Sequence, residues 1–586
     1  MKILINHVGY ISHAAKRAVL QGVTTDNPGI FSIVDSAGGL VYRDEPVKAG
    51  EVANWKTGCY WTLDFSSVEN EGRYIIRVDT ENGTACSDEF EIRRVLLTMR
   101  LLSAAGYYFK AQRSSGEWLY DDRNLPFMGE RQGRIDAHGG WYDATGDYGI
   151  HFSQLSHCSL HNPQQVPFSA YMFFKVHEFL ESCGNEEYSM IKRRLLDEGS
   201  IGADFLMRMR APAGGFFGSI NRQSAMSPVV GSRVIGFEYR HSHPPQFSEK
   251  AATADAEIIT DVNYEVSIRS GGGLAVAALA IAARHFYPGR DYSSTEYIAA
   301  ARNAWTHLET CNEKYANDGE WNLIDEYCAL IALIELYRTT AEYGYLERCR
   351  EMYGRMRGRM EDQGGGKFRL MVKPGIPFYN AADEGMPVVA LLQYAEIEPS
   401  AEKRRALVAD AECLMRRLLD LNRRAVNPFD YPRLECLAPD GKIKTQFFFP
   451  HNSTAAPWWQ GDNARIASLS AAASLLANAI EDDKFAVELR RFSQSPLDWI
   501  LGLNPFDSCM MEGYGKNNIQ YFFRNRYDFL NCPGGIVNGI TGGLEDEEGI
   551  EFVTEPGGPV DDNWRWAEQW IPHVSWFMYA LALKAE

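Results

Sequence analysis

The stretch HGGWYDATGDYGIH, residues 138–151, sets two carboxylates, Asp143 and Asp147, four positions apart among glycines and aromatic rings. Such a pair suits acid–base work: one carboxylate orients a water and takes its proton, while the other supports it by charge and hydrogen bonding. The same two residues would serve as helix caps or as acceptors for turn amides, the everyday use of Asp in loops. Trp141 and Tyr142 beside them offer flat apolar faces of the kind that stack on sugar rings. Local composition alone leaves these readings open.

Other residues carry chemistry at a distance. Trp458 and Trp459, near His451 in PHNSTAAPWWQGDN, are candidate sugar platforms or core tryptophans. Asp383 and Glu384 in NAADEGMPV would bind sugar hydroxyls or an ammonium, and equally suit the start of a helix, whose dipole favours acidic residues. The triple glycine at 271–273 lacks the Lys-Ser/Thr of a phosphate loop and the spacing of a dinucleotide fingerprint. His138, His151, His241 and His243 lie near acidic residues without a metal-ligand spacing, so no catalytic metal is expected, while a structural calcium or zinc in the long loops stays open. A single D-T-G-like cluster in a mainly helical body does not make an aspartic peptidase.

The elements that position these residues fall into two blocks. Up to residue 93 the pattern has period two: in RYIIRV, Tyr74, Ile76 and Val78 alternate with Arg73, Ile75 and Arg77. Turn signals DNPG, SAGG and Asn82-Gly83 break the runs, which describes a small antiparallel β-sandwich. From residue 94 to 586 helical spacing dominates, beginning with VLLTMRLLSAAGYYFKAQ. In DEYCALIALIELYRTT, Tyr327, Leu330, Ile331, Ile334 and Tyr337 form one helical stripe. Similar runs, such as GGGLAVAALAIAARHF and VSWFMYALALKAE, are rich in Ala and apolar nearly all round, as expected of helices buried on two sides. Loops rich in Gly, Pro, Trp and Tyr separate them, and in a compact domain such loops usually build a site.

At 586 residues, with 45% apolar and 23% charged residues, the chain is long enough for two or more globular domains. Asp and Glu outnumber Lys and Arg by 77 to 59, and the net charge of −18 repels a phosphate backbone, so nucleic acid is not expected as a partner. Eleven scattered cysteines with no C-x-x-C pair suggest reduced thiols. No run is apolar enough for a signal peptide or a bilayer span, so a cytoplasmic protein without a membrane partner is expected. Nothing in the pattern fixes an oligomeric state.

The quoted stretch resembles the GGWYDAGDY signature of glycoside hydrolase family 9, and INHVGY near the start resembles the first strand of the immunoglobulin-like domain that precedes many of its catalytic domains. Five further segments follow in the family's order: YEVSIRSGGGLAVAALA (264–280), NLIDEYCALIALIELYRTT (322–340), ADEGMPVVALLQYAE (382–396), FFFPHNSTAAPWWQGDNARIASL (447–469) and DWILGLNPFDSCMMEGYGKN (498–517). The resemblance spans nearly the whole chain. It implies an immunoglobulin-like β-sandwich over 1–93 and an all-α (α/α)6 barrel over 94–586 that hydrolyses β-linked sugars with inversion and needs no cofactor. Inversion requires carboxyl groups on both sides of the scissile bond, ~6.5–9.5 Å apart, to admit a water. The resemblance places the base at Asp147 with Asp143 as its partner, and the acid at Glu568 in NWRWAEQWIPH. Burial among Trp564, Trp566 and Trp570 would keep that acid protonated.

Departures from the family pattern bear on the substrate. Thr145 is inserted between the carboxylates, GKNNIQYFFRNRY stands where an H-x-R motif is usual, with Arg524 or Arg526 as stand-ins, and WAEQWIPH surrounds the acid. These changes resemble an exo-acting branch that includes β-glucosaminidases. The expected function is therefore inverting, exo-type hydrolysis of short β-1,4-linked oligosaccharides of the chitosan type. A cello-oligosaccharide hydrolase or endoglucanase is the alternative, and a non-catalytic carbohydrate-binding protein is a reading from another class.

Overall fold

The computed structural model describes residues 1–81, 83–146, 148–154, 160–222, 233–237, 260–438, 440–451 and 459–585. Its first ten strands are β1 (Lys2–Leu4), β2 (Tyr10–Ile11), β3 (Arg17–Gly22), β4 (Phe31–Asp35), β5 (Leu40–Asp44), β6 (Val47–Glu51), β7 (Cys59–Asp64), β8 (Gly72–Thr80), β9 (Gly83–Cys86) and β10 (Phe90–Arg93). They form two sheets, β1-β3-β7-β6 and β2-β10-β8-β4-β5, with β9 beside β8. In β8 the side chains of Tyr74, Ile76 and Val78 are buried and those of Arg73 and Arg77 exposed, so the period-two pattern is the inward and outward alternation of a pleat. The β1-β3-β7 part of the first sheet is covered on both faces, while its edge strand β6 is largely exposed. Ala18, Leu20, Trp61 and Leu63 fill the sandwich, whereas Val19 and Tyr60, one position out of phase, join the core of the helical domain.

Twelve long helices follow among the described residues: α1 (Leu96–Gln112), α2 (Val166–Ser182), α3 (Ser189–Arg208), α4 (Gly273–Ala282), α5 (Ser294–Tyr315), α6 (Leu323–Thr340), α7 (Tyr343–Arg357), α8 (Met386–Ile397), α9 (Ala401–Arg423), α10 (Asn463–Ala479), α11 (Asp483–Ile500) and α12 (Ile571–Ala582). Helices α12, α2, α4, α6, α8 and α10 pack each on the next, and α10 closes back on α12. The remaining six lie outside them, each packed on an inner neighbour. This is an (α/α)6 barrel. The inner helices are those with apolar residues all round: every residue of α4 is buried, as is every residue of α6 from Leu323 to Leu336, so the stripe from Tyr327 to Ile334 is one side of an enclosed stretch and Tyr337 lies at its half-buried end.

Each inner helix returns through an outer one, so the six inner helices run the same way and their N-terminal ends share one rim. Three of them start with a proline in the first turn, Pro167, Pro387 and Pro572, where a missing N–H costs nothing. The segments carrying Asp143, Asp383, Glu384, Trp459 and Glu568 all feed inner helices and therefore lie at this rim. Among the described residues no helix is long and apolar enough to cross a membrane.

The sandwich is fastened to the barrel by apolar and ionic contacts. Trp55 stacks on Phe448 at 5.7 Å between ring centres and also meets Phe429, Phe447 and Trp499. Arg17 donates to Asp430 at 2.7 Å and to Ser495 at 3.1 Å, and His7 meets Asp507 at 2.8 Å. Burial pushes the Asp507 carboxyl up, but hydrogen bonds from His7, Lys516 and Lys2 outweigh it and hold the group well below the usual carboxylate range. Trp55→Ala should cost about 3–5 kcal/mol, the usual loss for deleting a buried aromatic ring. Denaturant unfolding would show this; a loss below about 1 kcal/mol would mean that the contact does not fasten the two domains.

Candidate active site

Asp143 sits at the rim in a loop that cannot be moved without moving the end of the chain. Its carbonyl accepts from Ile571 N–H at 3.0 Å, and Thr145 N–H donates to the carbonyl of Gln569 at 2.9 Å. Ala144 and Trp570 form an antiparallel bridge, as do Gln569 and Val537 on the far side. Residues 143–145, 569–571 and 536–538 thus make a small three-stranded ribbon, with Glu568 at one end of its central strand. The Glu568 carbonyl accepts from Asn538 N–H at 2.8 Å, which fixes that end.

Gln569 is the side chain that locks the ribbon. It is fully buried; its Oε1 accepts from Thr145 Oγ1 at 3.0 Å and from Cys532 N–H at 2.8 Å, while Nε2 donates to Cys532 O at 2.7 Å. The inserted Thr145 is thereby tied to the residue after the expected acid. Gly146 follows with φ +74°, and a Cβ there would fall 2.6 Å from Phe529 Cγ, so only glycine fits.

The Asp143 carboxyl is fully buried. Its Oδ2 accepts from His151 Nδ1 at 2.8 Å, Gln165 Nε2 at 2.8 Å and Gln154 Nε2 at 3.1 Å, whereas Oδ1 has no hydrogen-bond partner among the described residues. Behind the loop, Asp122 and Arg233, both fully buried, pair at 2.7 and 3.0 Å, and Arg233 also donates to the carbonyl of Tyr148. The buried Tyr108 hydroxyl of α1 feels both carboxylate segments. Burial pushes it well above its ordinary value, and the charges of Cys532, Asp143 and Glu568 push the same way.

Glu568 is half-buried at the end of a short helix, Trp564–Ala567, where the chain turns extended along the rim. Trp566 and Trp570 are buried and Trp564 half-buried, so the aromatic setting expected for the acid is present, with more solvent contact at Glu568 than full burial implies. Asn538 anchors this segment from below. Its side chain donates to Trp564 O at 2.7 Å and accepts from His573 of α12 at 2.8 Å, and the other ring nitrogen of His573 accepts from Ala464 N–H at 2.7 Å.

Several expected sugar contacts are placed otherwise. Trp141 is fully buried between Phe109 and Phe173, with its indole N–H on Glu198 at 3.2 Å, and has no face to offer a ligand. Tyr142 is 8% exposed and set edge-on to Tyr148. Asp383 is fully enclosed, accepting from Trp576 at 3.0 Å and Gln164 N–H at 3.1 Å. Burial pushes its carboxyl up to about 7 against the pull of those two donors. Glu384 is held by the fully buried Arg465 at 2.9 Å, and Arg465 also pairs with Asp462. Asp383 is enclosed at the start of α8 and Glu384 is partly exposed there; the partners that hold them, Trp576 and Arg465, are remote in sequence. Trp459 already carries groups on both faces, His451 parallel at 4.0 Å and the Arg565 guanidinium at 4.3 Å. Arg565 also lies 4.5 Å from Trp564, and burial lowers it to about 10, with Asp562 pulling it back up. Arg524 and Arg526 are exposed at the tip of a tight turn. Asp147, Trp458, His241 and His243 lie outside the described residues. Among the described residues no three potential metal ligands gather.

With this geometry in place, comparison with known proteins gives the family. The model described as Glycosyl hydrolase family 9 matches residues 99–528, and that of the Cellulase N-terminal ig-like domain matches residues 1–83. The chain belongs to glycosyl hydrolase family 9. This family-9 hydrolase is 26% identical over 227 residues to a Cellodextrinase of Butyrivibrio fibrisolvens, a match covering 36% of this chain and 38% of that relative. The matched part is thus about two fifths of the curated relative's length. Among solved structures, a metagenome-derived family 9 endoglucanase superposes with a TM-score of 0.60 at 19% identity, covering 100% of this chain and 99% of that one. The family 9 endoglucanase J30 does so with 0.63 at 19% identity, covering 98% and 99%. At these identities the likeness concerns the fold. The family-9 match ends at residue 528, before Glu568, and the ribbon ties the segment of Glu568 to the Asp143 loop.

His573 gives the rim a pH dependence. Burial lowers it to about 3, against ~6.5 in an unfolded chain. Between these values the unfolded chain binds the extra proton, so stability falls as pH drops from about 6.5 towards 3. His573→Gln, which retains one acceptor and one donor, should flatten that loss in melting temperatures measured from pH 7 to 4. Equal slopes for the variant and the parent would contradict it.

Proposed function

We propose that this hydrolase cleaves β-1,4 linkages of short cello-oligosaccharides with inversion. In this reading Asp147, supported by Asp143, takes the proton of a water that attacks the anomeric carbon, and Glu568 gives its proton to the departing glycosidic oxygen. The observation that carries it is the ribbon of 143–145 with 569–571, which joins the segment of the base pair to that of the acid. A glucose-based substrate is favoured by the charge beside the acid. The Arg565 guanidinium, three residues before Glu568 and 4.3 Å from the centre of Trp459 and 4.5 Å from that of Trp564, would repel an ammonium-bearing sugar bound beside those rings. The names of the relatives, cellodextrinase and endoglucanase, point the same way.

A second reading, exo-type removal of glucosamine from chitosan oligosaccharides, is favoured by one feature. The insertion of Thr145, tied to Gln569 at 3.0 Å, alters the carboxylate spacing beside the cleaved bond. Time-resolved NMR on cellobiose, cellotetraose and chitosan dimer in parallel separates the two. The expected result is turnover of cellotetraose with the α-anomer appearing first. A β-anomer appearing first would exclude inversion, and turnover of chitosan dimer alone would replace glucose by glucosamine.

A further inference from the structure

His151 ends a two-residue strand, Ile150–His151, which pairs antiparallel with Ser219–Arg222 so that His151 lies opposite Ser219. Both of its ring nitrogens meet oxygen atoms. Nδ1 is 2.8 Å from Asp143 Oδ2, and Nε2 is 2.6 Å from Asn221 Oδ1. The other end of the Asn221 amide, Nδ2, donates to Ser219 Oγ at 3.2 Å. A neutral imidazole has one donor and one acceptor nitrogen, so it satisfies one of these oxygens and opposes the other. A ring protonated on both nitrogens satisfies both. His573 shows the contrast within the same rim: a backbone N–H points at its Nδ1, which must accept, and the ring is neutral.

The load on Asp143 is one-sided. His151, Gln154 and Gln165, from a strand, a turn and the residue before α2, all donate to Oδ2. None reaches Oδ1, which is buried and without a partner among the described residues. Three donors from three elements prevent the carboxylate from turning over about its Cβ–Cγ bond.

We propose that His151 is a positioning residue for the hydrolytic reaction: doubly protonated between Asp143 and Asn221, it fixes the carboxylate by Oδ2 and leaves Oδ1 to accept from the water or sugar hydroxyl at the reacting bond. The proposal rests on the reading of Asp143 as partner of the base. It accounts for the deep burial of a carboxylate whose second oxygen has no partner, an arrangement that costs free energy unless a ligand completes it. It also gives the strand pair Ile150–His151 and Ser219–Arg222 a role, since these present His151 and Asn221 from adjacent strands.

The test combines spectroscopy and kinetics on the full chain. With histidine labelled by ¹⁵N, the free protein should show one ring with both nitrogens protonated, absent in His151→Phe, and reduced to a single ring proton in Asn221→Leu. On cellotetraose, His151→Phe should lower kcat about 10²-fold, the scale of a catalytic group misplaced by about 1 Å, with KM changed less than about threefold and melting close to the parent. His151→Gln, which keeps one donor towards Asp143, should recover part of the lost kcat. A neutral His151 ring in the parent, or a His151→Phe variant with parental kcat, would overturn the proposal while leaving the hydrolase reading intact. A parent that hydrolyses none of the sugars would remove that reading and the positioning role with it.

Discussion

The structure depends on one short piece of backbone pairing. Thr145 donates a main-chain and a side-chain hydrogen bond to Gln569, 424 residues away, and Ile571 N–H donates to Asp143 O to continue the pairing. A reaction that needs two carboxyl groups on opposite sides of one bond tolerates little drift between them. The Asp143 loop and the strand that follows Glu568 belong to a single ribbon, whose third strand, 536–538, is itself held by Asn463 of the barrel. Closure of the inner helical ring makes this possible. The last inner helix, α12, packs on α2 and α10, so the chain's end is delivered beside its early loops.

The ribbon also explains where polar groups are spent. Gln569 satisfies Thr145 and both backbone groups of Cys532, and Asn538 serves Trp564, Glu568 and His573. Buried amides with every bond made fix geometry strongly, because leaving any one of them unpaired is costly. Asp143 departs from that economy, with one oxygen triply bonded and the other empty. A buried carboxylate oxygen without a partner among the described residues is a place where a ligand or water would complete the network, and Gln165 Oε1 and Trp570 Nε1 are buried without a partner as well.

Much of this was legible in the residues. Alternation in Tyr74, Ile76 and Val78 specified the sandwich, and Ala-rich runs apolar all round specified the inner helices, because those patterns record burial directly. At Asp143 and Glu568 the local pattern left capping and acid–base readings open, and only the family resemblance singled them out. The functions of Trp141, Asp383 and Glu384 could not be read. A tryptophan beside an active carboxylate reads the same whether its ring faces a cleft or Phe109 and Phe173, and acidic residues before a helix read the same whether they meet solvent or Arg465 and Trp576. His151 was visible as a histidine near acidic residues, but its second partner, Asn221, comes 70 positions later from a paired strand that no local pattern announces.

The central claim is that Glu568 is the proton donor facing the carboxylates of the 143–147 loop. The most direct measurement compares Glu568→Gln with the parent on cellotetraose and on an aryl β-cellobioside whose phenol leaves without protonation, such as the 2,4-dinitrophenyl glycoside. The account predicts a loss of about 10²–10⁴-fold on cellotetraose, the usual contribution of a general acid, and a far smaller loss on the aryl glycoside. Equal losses on both substrates, or none on either, would contradict it.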